Sequence, residues 1–356
     1  MTKDNDVERA ELVEKLRPTY LADIAAGIDR FFEPRSEHCP WCESDQLTVR
    51  LSTTDLLQHK PGRFELDRCT DCGHVFQNPR LNDDGLEFYY RDCYDGLGEK
   101  LMNQLFSAKD DAYVSRAQAL KPFAEPKSWL DIGTGHGHFP HAAKEVFPDT
   151  AFDGLDLSEG VELAHERGWV GTGYRGPFIE LAEELGESYD AVSMFHYLEH
   201  TTEPRKQLAA AHSVIRAGGH LVIEVPDPES RWGRILGRWW MPWLQPQHLN
   251  FVPIANLRTA LTELGFTVLL EQHAEAHGGY DLISALLLAL HDKTRSGEDV
   301  PWQPEPASAG RQRRRSTVFT VGGVFFLLTV LLDKALKGFV GKRGFANAYR
   351  VVARKD

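Results

Sequence analysis

The chain has 356 residues, which is enough for one α/β domain of roughly 200 residues together with smaller units. Its 40 Lys and Arg residues against 52 Asp and Glu residues give a formal net charge of −12, which argues against broad binding to a nucleic acid backbone. Residues 1–16 are charged and contain no continuous apolar segment, so we expect no secretory signal and a cytoplasmic location.

Residues 1–35 are predicted to form a helical leader. Leu12, Leu16 and Leu21 recur at roughly helical spacing, and Pro18 predicts a break in the helix. We expect the leader to pack on a neighbouring element. A lid over a cofactor or a contact in a homodimer is the alternative.

Two Cys-x-x-Cys pairs define the next segment, residues 36–80. The pairs are Cys39 with Cys42 and Cys69 with Cys72, and the stretch between them is rich in strand-forming residues. Four thiolates form a closed tetrahedral set for Zn²⁺, so the spacing predicts a zinc ribbon. Disulfides are the alternative, and they suit a cytoplasmic chain less well. Because four thiolates leave no open coordination position, the predicted zinc is structural.

An apolar strand, a glycine turn and a helix start follow one another in residues 128–139. The turn carries Gly133, Gly135 and Gly137, which permit positive φ and the close approach of a ligand. This spacing differs from the G-x-G-x-x-G of dinucleotide-binding folds, and Asp131 stands just before it. An acidic side chain there would repel a pyrophosphate and would suit a ligand that carries a positive charge.

A second strand is predicted at residues 152–158, and its Asp156 is placed to accept hydrogen bonds from a ribose diol. The glycine turn and this acid resemble those of the class I S-adenosylmethionine-dependent methyltransferases. The resemblance implies an α/β fold with a Rossmann-like, mostly parallel seven-stranded sheet, and S-adenosylmethionine as the cofactor. It also implies that Asp131 and the three glycines hold the methionyl part of the cofactor, while Asp156 and the adjacent Leu157 lie at the ribose.

The cysteine segment and the aromatic run that follows it resemble a group of bacterial methyltransferases that carry a zinc-binding segment. Many of that group act on sugars, lipid-linked glycans or other small metabolites. In that group the aromatic segment covers the cofactor, which gives this role to Tyr90 and its neighbours Phe88, Tyr89 and Tyr94. Ordinary packing between the ribbon and the main domain is the alternative.

Three histidines are candidates for a general base. His196 and His200 lie in FHYLEH after the predicted fourth strand, and Glu199 is placed between them to orient an imidazole. His248 lies farther along, ahead of a predicted helix. An imidazole titrates near working pH and can remove a proton from a substrate. For each histidine, bracing the loop is the alternative role.

Four tryptophans stand among arginines shortly before His248. Such a mixture favours a substrate loop that stacks on a sugar or an apolar chain, or a surface at a lipid headgroup layer. The tryptophans are Trp232, Trp239, Trp240 and Trp243.

The last strand of this fold is antiparallel, and residues 346–356 are the later segment that fits it. Residues 274–345 are therefore predicted to be an insertion. It contains the basic run 311–315 and then residues 316–332, which carry no charge and fall just short of the ~20 residues that cross a bilayer. A single crossing is excluded if the final strand returns to the sheet. We expect contact with the inner face of the cell membrane; a helix that covers the substrate pocket or forms a dimer interface is the alternative.

The sequence thus predicts a methyltransferase core at residues 81–273. It is expected to move a methyl group to oxygen or carbon of a small-molecule, sugar or lipid-linked acceptor, with nucleic acid an unfavoured partner. Three alternatives stay open: a non-catalytic, membrane-associated binding protein on the same fold, a nucleic-acid methyltransferase guided by the ribbon, and a nicotinamide dehydrogenase.

Overall fold

A computed structural model describes residues 3–93, 97, 110–273, 280–340 and 344–356 of the chain. The described residues form two sheets flanked by helices, with two further helices inserted before the last strand.

The smaller sheet has four antiparallel strands. Three come from the cysteine segment, as its composition predicted: β1 Leu47–Thr53, β2 Phe64–Cys69 and β3 Val75–Gln77. The fourth, β9 Asn250–Phe251, comes from the main domain and pairs with β3. The buried His74 adds a side-chain contact of 3.1 Å to Asn250. The sequence analysis did not predict this link between the ribbon segment and the core.

The larger sheet has seven strands. Its strands are β4 Ser128–Ile132, β5 Ala151–Asp156, β6 Gly173–Arg175, β7 Tyr189–Phe195, β8 Ile215–Pro226, β10 Phe266–Gln272 and β11 Ala348–Lys355. The order across the sheet is β10-β11-β8-β7-β4-β5-β6. Strands β4 to β8 pair in parallel, and β11 runs antiparallel between β8 and β10. This arrangement confirms the predicted Rossmann-like class I fold.

Helices pack around the larger sheet, whose central strands are buried. In β4, Trp129, Leu130 and Ile132 have no exposed surface, as expected for a parallel strand covered on both faces. The helices around this sheet are α3 Asp110–Leu120, α4 His138–Ala143, α5 Gly160–Glu166, α6 Phe178–Leu185, α7 Pro204–Val214 and α9 Ile254–Glu263. Helices α1 Lys3–Ala25, α2 Asp83–Tyr90 and α8 Arg231–Ile235 pack in smaller cores next to the ribbon segment.

The leader helix α1 continues through Pro18, so the predicted break is wrong. Packing on either side of the proline explains the difference. Val13 and Tyr20 are fully buried, and the guanidinium of Arg17 donates to the carbonyl oxygen of Val300 at 3.1 Å. These contacts hold the helix where Pro18 removes a backbone donor.

The insertion between β10 and β11 contains two long helices, α10 Asp281–Thr294 and α11 Ala309–Val340. The helix and the apolar segment expected there are confirmed, and the last strand returns to the sheet as predicted. By length and composition, α11 is apolar enough to cross a membrane, and little of it is buried.

Three of the four tryptophans are part of a core, which corrects their predicted role in a substrate loop or at a lipid headgroup layer, while Trp239 is half-buried. Trp232, Trp240 and Trp243 are buried, and they pack with residues of the small sheet, among them Leu66 and Phe251. The indole N–H of Trp240 donates to the carboxylate of Asp281 in α10 at 2.9 Å, which satisfies its polar atom.

Candidate active site

Three glycines shape the turn between β4 and α4, each with positive φ. A side chain at Gly133 would strike Tyr197, and one at Gly137 would strike Ala164. A Cβ at Gly135 would meet nothing within 4 Å, so the turn offers open space at its centre. A ligand can therefore approach the backbone at Gly135 closely.

Asp156 stands beside this opening at the end of β5. Its Oδ2 accepts from the backbone N–H of Gly135 at 2.8 Å, and its Oδ1 accepts from the N–H of Ser158 at 2.8 Å. A carboxylate has about four acceptor positions, so two remain for a ligand. The neighbouring Leu157 is 68% exposed and lies at the same strand end.

Asp131 lies at the end of the adjacent strand β4 and is buried. Its Oδ1 accepts from the hydroxyl of Ser193 at 2.6 Å, and that hydroxyl in turn accepts from Trp129. Burial raises the pKa of Asp131 to about 7, although Ser193 and Thr134 oppose the shift, and the charge of Asp156 adds to it. Asp131 pairs with Gly154, two residues before Asp156, so the two acids lie on the same side of the sheet.

His196 joins two buried carboxylates. Its Nδ1 lies 2.9 Å from Glu199 and its Nε2 lies 3.3 Å from Glu224. Burial alone would lower the pKa of His196, but the two carboxylates raise it above its usual value. His196 has φ of 53°, a conformation that side chains rarely adopt and that these contacts hold in place.

Glu224 is also the centre of a buried charge network. Arg116 donates to its Oε1 at 2.7 Å, and Arg350 donates to its Oε2 at 2.6 Å. All three side chains are at least nine-tenths buried. The sequence analysis missed both arginines, although an Arg within the apolar strand β11 signals a buried partner.

His200 and His248 lie next to each other, with ring centroids 4.6 Å apart. Nδ1 of His200 lies 2.7 Å from the hydroxyl of Tyr90 and 3.1 Å from the carbonyl oxygen of Gln247. Nδ1 of His248 donates to the carbonyl oxygen of Pro242 at 2.7 Å. Burial lowers the pKa of His200, and burial together with His200 lowers the pKa of His248 to about 3.

Glu199 faces this histidine pair. Burial alone would raise the pKa of Glu199, yet His196 holds it below its usual value. Its Oε2 has no hydrogen-bond partner among the described residues. Ligand atoms of Glu199, His200 and His248 lie within 4.8 Å of one another, so the three side chains could hold a metal ion.

The aromatic segment after the ribbon divides into two parts. Phe88 and Tyr89 are buried against Tyr20 and Phe31 in a separate core, which is the packing alternative. Tyr90 instead reaches His200. Tyr94 lies outside the described residues. Tyr197, which packs over Gly133 and donates to Gln207, was not singled out from the sequence.

The four cysteines of the ribbon segment come together. The sulfur atoms of Cys39 and Cys72 are 3.7 Å apart, and those of Cys42 and Cys69 are 3.6 Å apart. A tetrahedral Zn²⁺ with Zn–S bonds of about 2.3 Å separates its ligands by about 3.8 Å, whereas a disulfide needs about 2.05 Å. The geometry fits a metal ion, and Cys93 is not part of the cluster.

Part of the chain is similar to known proteins. Residues 107–271 match the family described as a methyltransferase domain. The chain is 26% identical over 171 residues to a malonyl-[acyl-carrier protein] O-methyltransferase of Alcanivorax borkumensis, covering 45% of this chain and 56% of that protein. It is 30% identical over 100 residues to a ubiquinone biosynthesis O-methyltransferase of Pseudomonas syringae, covering 27% and 42%. The chain thus spans about half the length of these curated relatives.

Among solved structures, a SAM-dependent methyltransferase from Archaeoglobus fulgidus aligns with a TM-score of 0.46 and 19% identity, covering 72% of this chain and 99% of that one. Residues 107–271 thus match a methyltransferase family model, and the strand order of the larger sheet is that of the Rossmann-like class I methyltransferase fold.

Proposed function

We propose that the chain is an S-adenosylmethionine-dependent methyltransferase with a small-molecule or lipid-linked acceptor. The observation that carries this proposal is the pair Asp131 and Asp156 at neighbouring strand ends, on either side of an open glycine turn. When bound, S-adenosylmethionine supplies an electrophilic methyl group.

The residues around the turn fit that cofactor. Asp156 is oriented by two backbone N–H groups, and its free acceptor positions suit the two hydroxyls of a ribose. Gly135 leaves room for the ligand, and Leu157 and Tyr90 are the proposed flanking contacts.

Asp131 favours a cationic ligand over a pyrophosphate. With a pKa of about 7 this carboxyl is partly protonated at neutral pH, and a nearby sulfonium would favour its ionised form. A negatively charged pyrophosphate would instead favour the protonated form of Asp131. This electrostatic difference supports S-adenosylmethionine against a nicotinamide dinucleotide.

His200 is the proposed general base. Its lowered pKa keeps the ring neutral at physiological pH, so the ring can accept a proton from the acceptor hydroxyl. His196 is less suited because two carboxylates occupy both of its nitrogens. His248, with a pKa of about 3, is too weak a base and is proposed to position His200.

The acceptor is proposed to be methylated on oxygen. Two of the relatives named above are O-methyltransferases, and a histidine base serves an alcohol or phenol. We also propose that Cys39, Cys42, Cys69 and Cys72 hold a structural zinc that fixes the ribbon.

Methyl transfer from labelled S-adenosylmethionine to extracts tests this function. The full chain is incubated separately with water-soluble metabolites and with extracted lipids, and mass spectrometry seeks acceptors that gain the mass of a methylene group. The proposal predicts such an acceptor with the wild type and its loss with Asp156→Ala. A chain that binds S-adenosylmethionine but methylates neither fraction would instead support the non-catalytic alternative.

A further inference from the structure

Helix α11 carries an unusual exposed apolar surface. Eight large apolar side chains are more than two-fifths exposed, and a soluble protein rarely leaves so large a contiguous patch open. They are Val321, Val324, Phe325, Phe326, Leu327, Leu328, Leu331 and Leu332.

One narrow side of α11 is fixed to the protein. The carboxylate of Asp333 accepts from the backbone N–H of Ile283 at 3.0 Å, and Gly322 packs against Leu290. Near the other end, Arg315 lies 3.6 Å from Glu298. Positions 315, 322 and 333 lie on one face of a helix, so the remaining circumference points away from α10.

The two fixed ends set the orientation of α11. The helix has 32 residues and is about 48 Å long. The chain between Val340 and Ala348 spans at most about 28 Å, which is too short to return across a hydrocarbon core of about 30 Å. Because β11 pairs within the larger sheet, α11 can meet a bilayer only by lying along its surface.

The charges on α11 favour an anionic surface. Arg311, Arg313 and Arg314 at its start and Lys334 near its end are exposed. Asp333 is the one acid in the sequence of this helix, and α10 uses it. The chain as a whole is negative, so this helix concentrates the charge that an anionic headgroup layer would attract.

We propose that α11 is an interfacial anchor that lies in the plane of an anionic bilayer, with its apolar side among the acyl chains. A second copy of the chain suits this helix less well, because pairing would set its basic groups against each other with no exposed acid between them. If the chain is the methyltransferase proposed above, on which this inference rests, the anchor makes a lipid in the membrane the methyl acceptor.

The anchor is connected to the site. Asp281, at the start of α10, accepts from Trp240 at 2.9 Å, and the same segment continues to His248 beside His200. Helix α11 is therefore linked, through α10 and the tryptophan segment, to the elements that hold the candidate base.

Co-sedimentation of the full chain with lipid vesicles tests the proposal. Vesicles of phosphatidylcholine alone are compared with vesicles that also contain phosphatidylglycerol. We expect binding to the anionic vesicles that weakens with salt, and loss of binding in the double variant Val324→Glu, Leu328→Glu. The double variant Arg311→Gln, Arg313→Gln should bind about 25-fold more weakly, since each basic residue contributes about fivefold. Val49→Glu, at an exposed apolar position of the small sheet, is the matched control and should bind as the wild type does.

Two results would overturn the anchor. One is a wild type that does not bind anionic vesicles, with a dimer in light scattering that Val324→Glu, Leu328→Glu dissociates, because a second copy would then cover α11. The other is binding by that variant equal to the wild type. Calorimetric affinity for S-adenosylmethionine is measured on the same proteins. Its absence from a wild type that still binds vesicles would refute the proposed enzyme and leave the anchor standing.

Discussion

The three candidate histidines occupy three different electrostatic environments within one small region. His196 bridges two carboxylates, His200 contacts Tyr90 and a carbonyl oxygen, and His248 is deeply buried. Sequence spacing grouped His196 with His200, but their surroundings drive their pKa values in opposite directions. These surroundings make His196 a protonated partner of carboxylates and leave His200 neutral, so only His200 suits the role of a base.

Replacing His200 by Ala should remove the base and leave the cofactor site. We expect kcat to fall about 100-fold or more, because general base catalysis contributes on that order, with unchanged affinity for S-adenosylmethionine. In the wild type, activity should fall as pH drops through a pKa below 6.5, since the base must be neutral, and the variant should lose this dependence. Steady-state kinetics across pH measures both effects. His165→Ala, at an exposed position in α5, is the control; equal losses in the two variants would contradict the assignment.

Replacing Asp131 by Asn should separate stability from function. The unfolded carboxyl titrates near 3.8 and the folded one near 7, so the folded chain loses stability as pH rises through that window. The Asp131→Asn substitution removes this cost, and the cofactor-free variant should be more stable than the wild type at pH 8 by up to about 4 kcal/mol. Denaturant unfolding at pH 5 and pH 8 measures the difference. The same variant should bind S-adenosylmethionine more weakly; stability that is lower at both pH values would refute this account.

Glu224 should be needed for folding stability. Glu224→Gln leaves Arg116 and Arg350 without their buried counter-charge, which costs about 3 to 5 kcal/mol in the free energy of unfolding. Glu229→Gln, at an exposed position nearby, should change it by less than about 0.5 kcal/mol. Urea denaturation compares the two variants, and a change in Glu224→Gln no larger than in the control would show that the network is not stabilising.

Local residues could be predicted from the sequence, and distant partners could not. Asp131, the glycine turn and Asp156 follow one another along the chain, so spacing alone predicted their positions at two strand ends and the turn between them. Glu224 and Arg350 are 126 residues apart, and only the antiparallel placement of β11 brings them together. For the same reason, the sequence did not predict the packing of Tyr197 over Gly133 or the pairing of β9 with β3.

At the scale of the elements, the cysteine segment gives the most direct test, because its predicted zinc can be measured. One zinc per chain is expected, and Cys69→Ser should lose it and lower the melting temperature, because metal binding energy contributes to folding. Elemental analysis and thermal unfolding measure both. Cys93→Ser, outside the cluster, is the control and should retain the metal. A wild-type chain purified without a bound metal, and unchanged by added zinc, would contradict the ribbon assignment.

Secondary-structure elements were predicted well where the local sequence pattern determines their conformation. Strands β4, β5 and β11 are apolar runs next to turn residues, and each formed near the position expected from the sequence. The predictions for Pro18 and for the tryptophan segment were wrong because tertiary packing determines both structures. Tyr20 and Arg17 hold α1 across the proline, and Asp281 accepts a hydrogen bond from the indole N–H of Trp240. Helix propensity and surface chemistry carry no information about such distant partners.

At the scale of the molecule, the parts are joined through shared packing. The leader contacts the insertion at Val300, the ribbon shares a sheet with the main domain, and the insertion helix α10 holds the tryptophan core. The cysteine segment and the insertion are therefore both linked to the larger sheet through packing contacts of the described residues.

The central claim is that the turn between Asp131 and Asp156 binds S-adenosylmethionine. Calorimetric titration of the full chain with S-adenosylmethionine and, separately, with NAD tests it most directly, with Asp156→Ala and the exposed Asp149→Ala as the matched pair. We predict binding of S-adenosylmethionine to the wild type and to Asp149→Ala, an affinity lower by about tenfold or more in Asp156→Ala, and no binding of NAD. Binding of NAD without S-adenosylmethionine, or equal affinity in the two variants, would contradict the account.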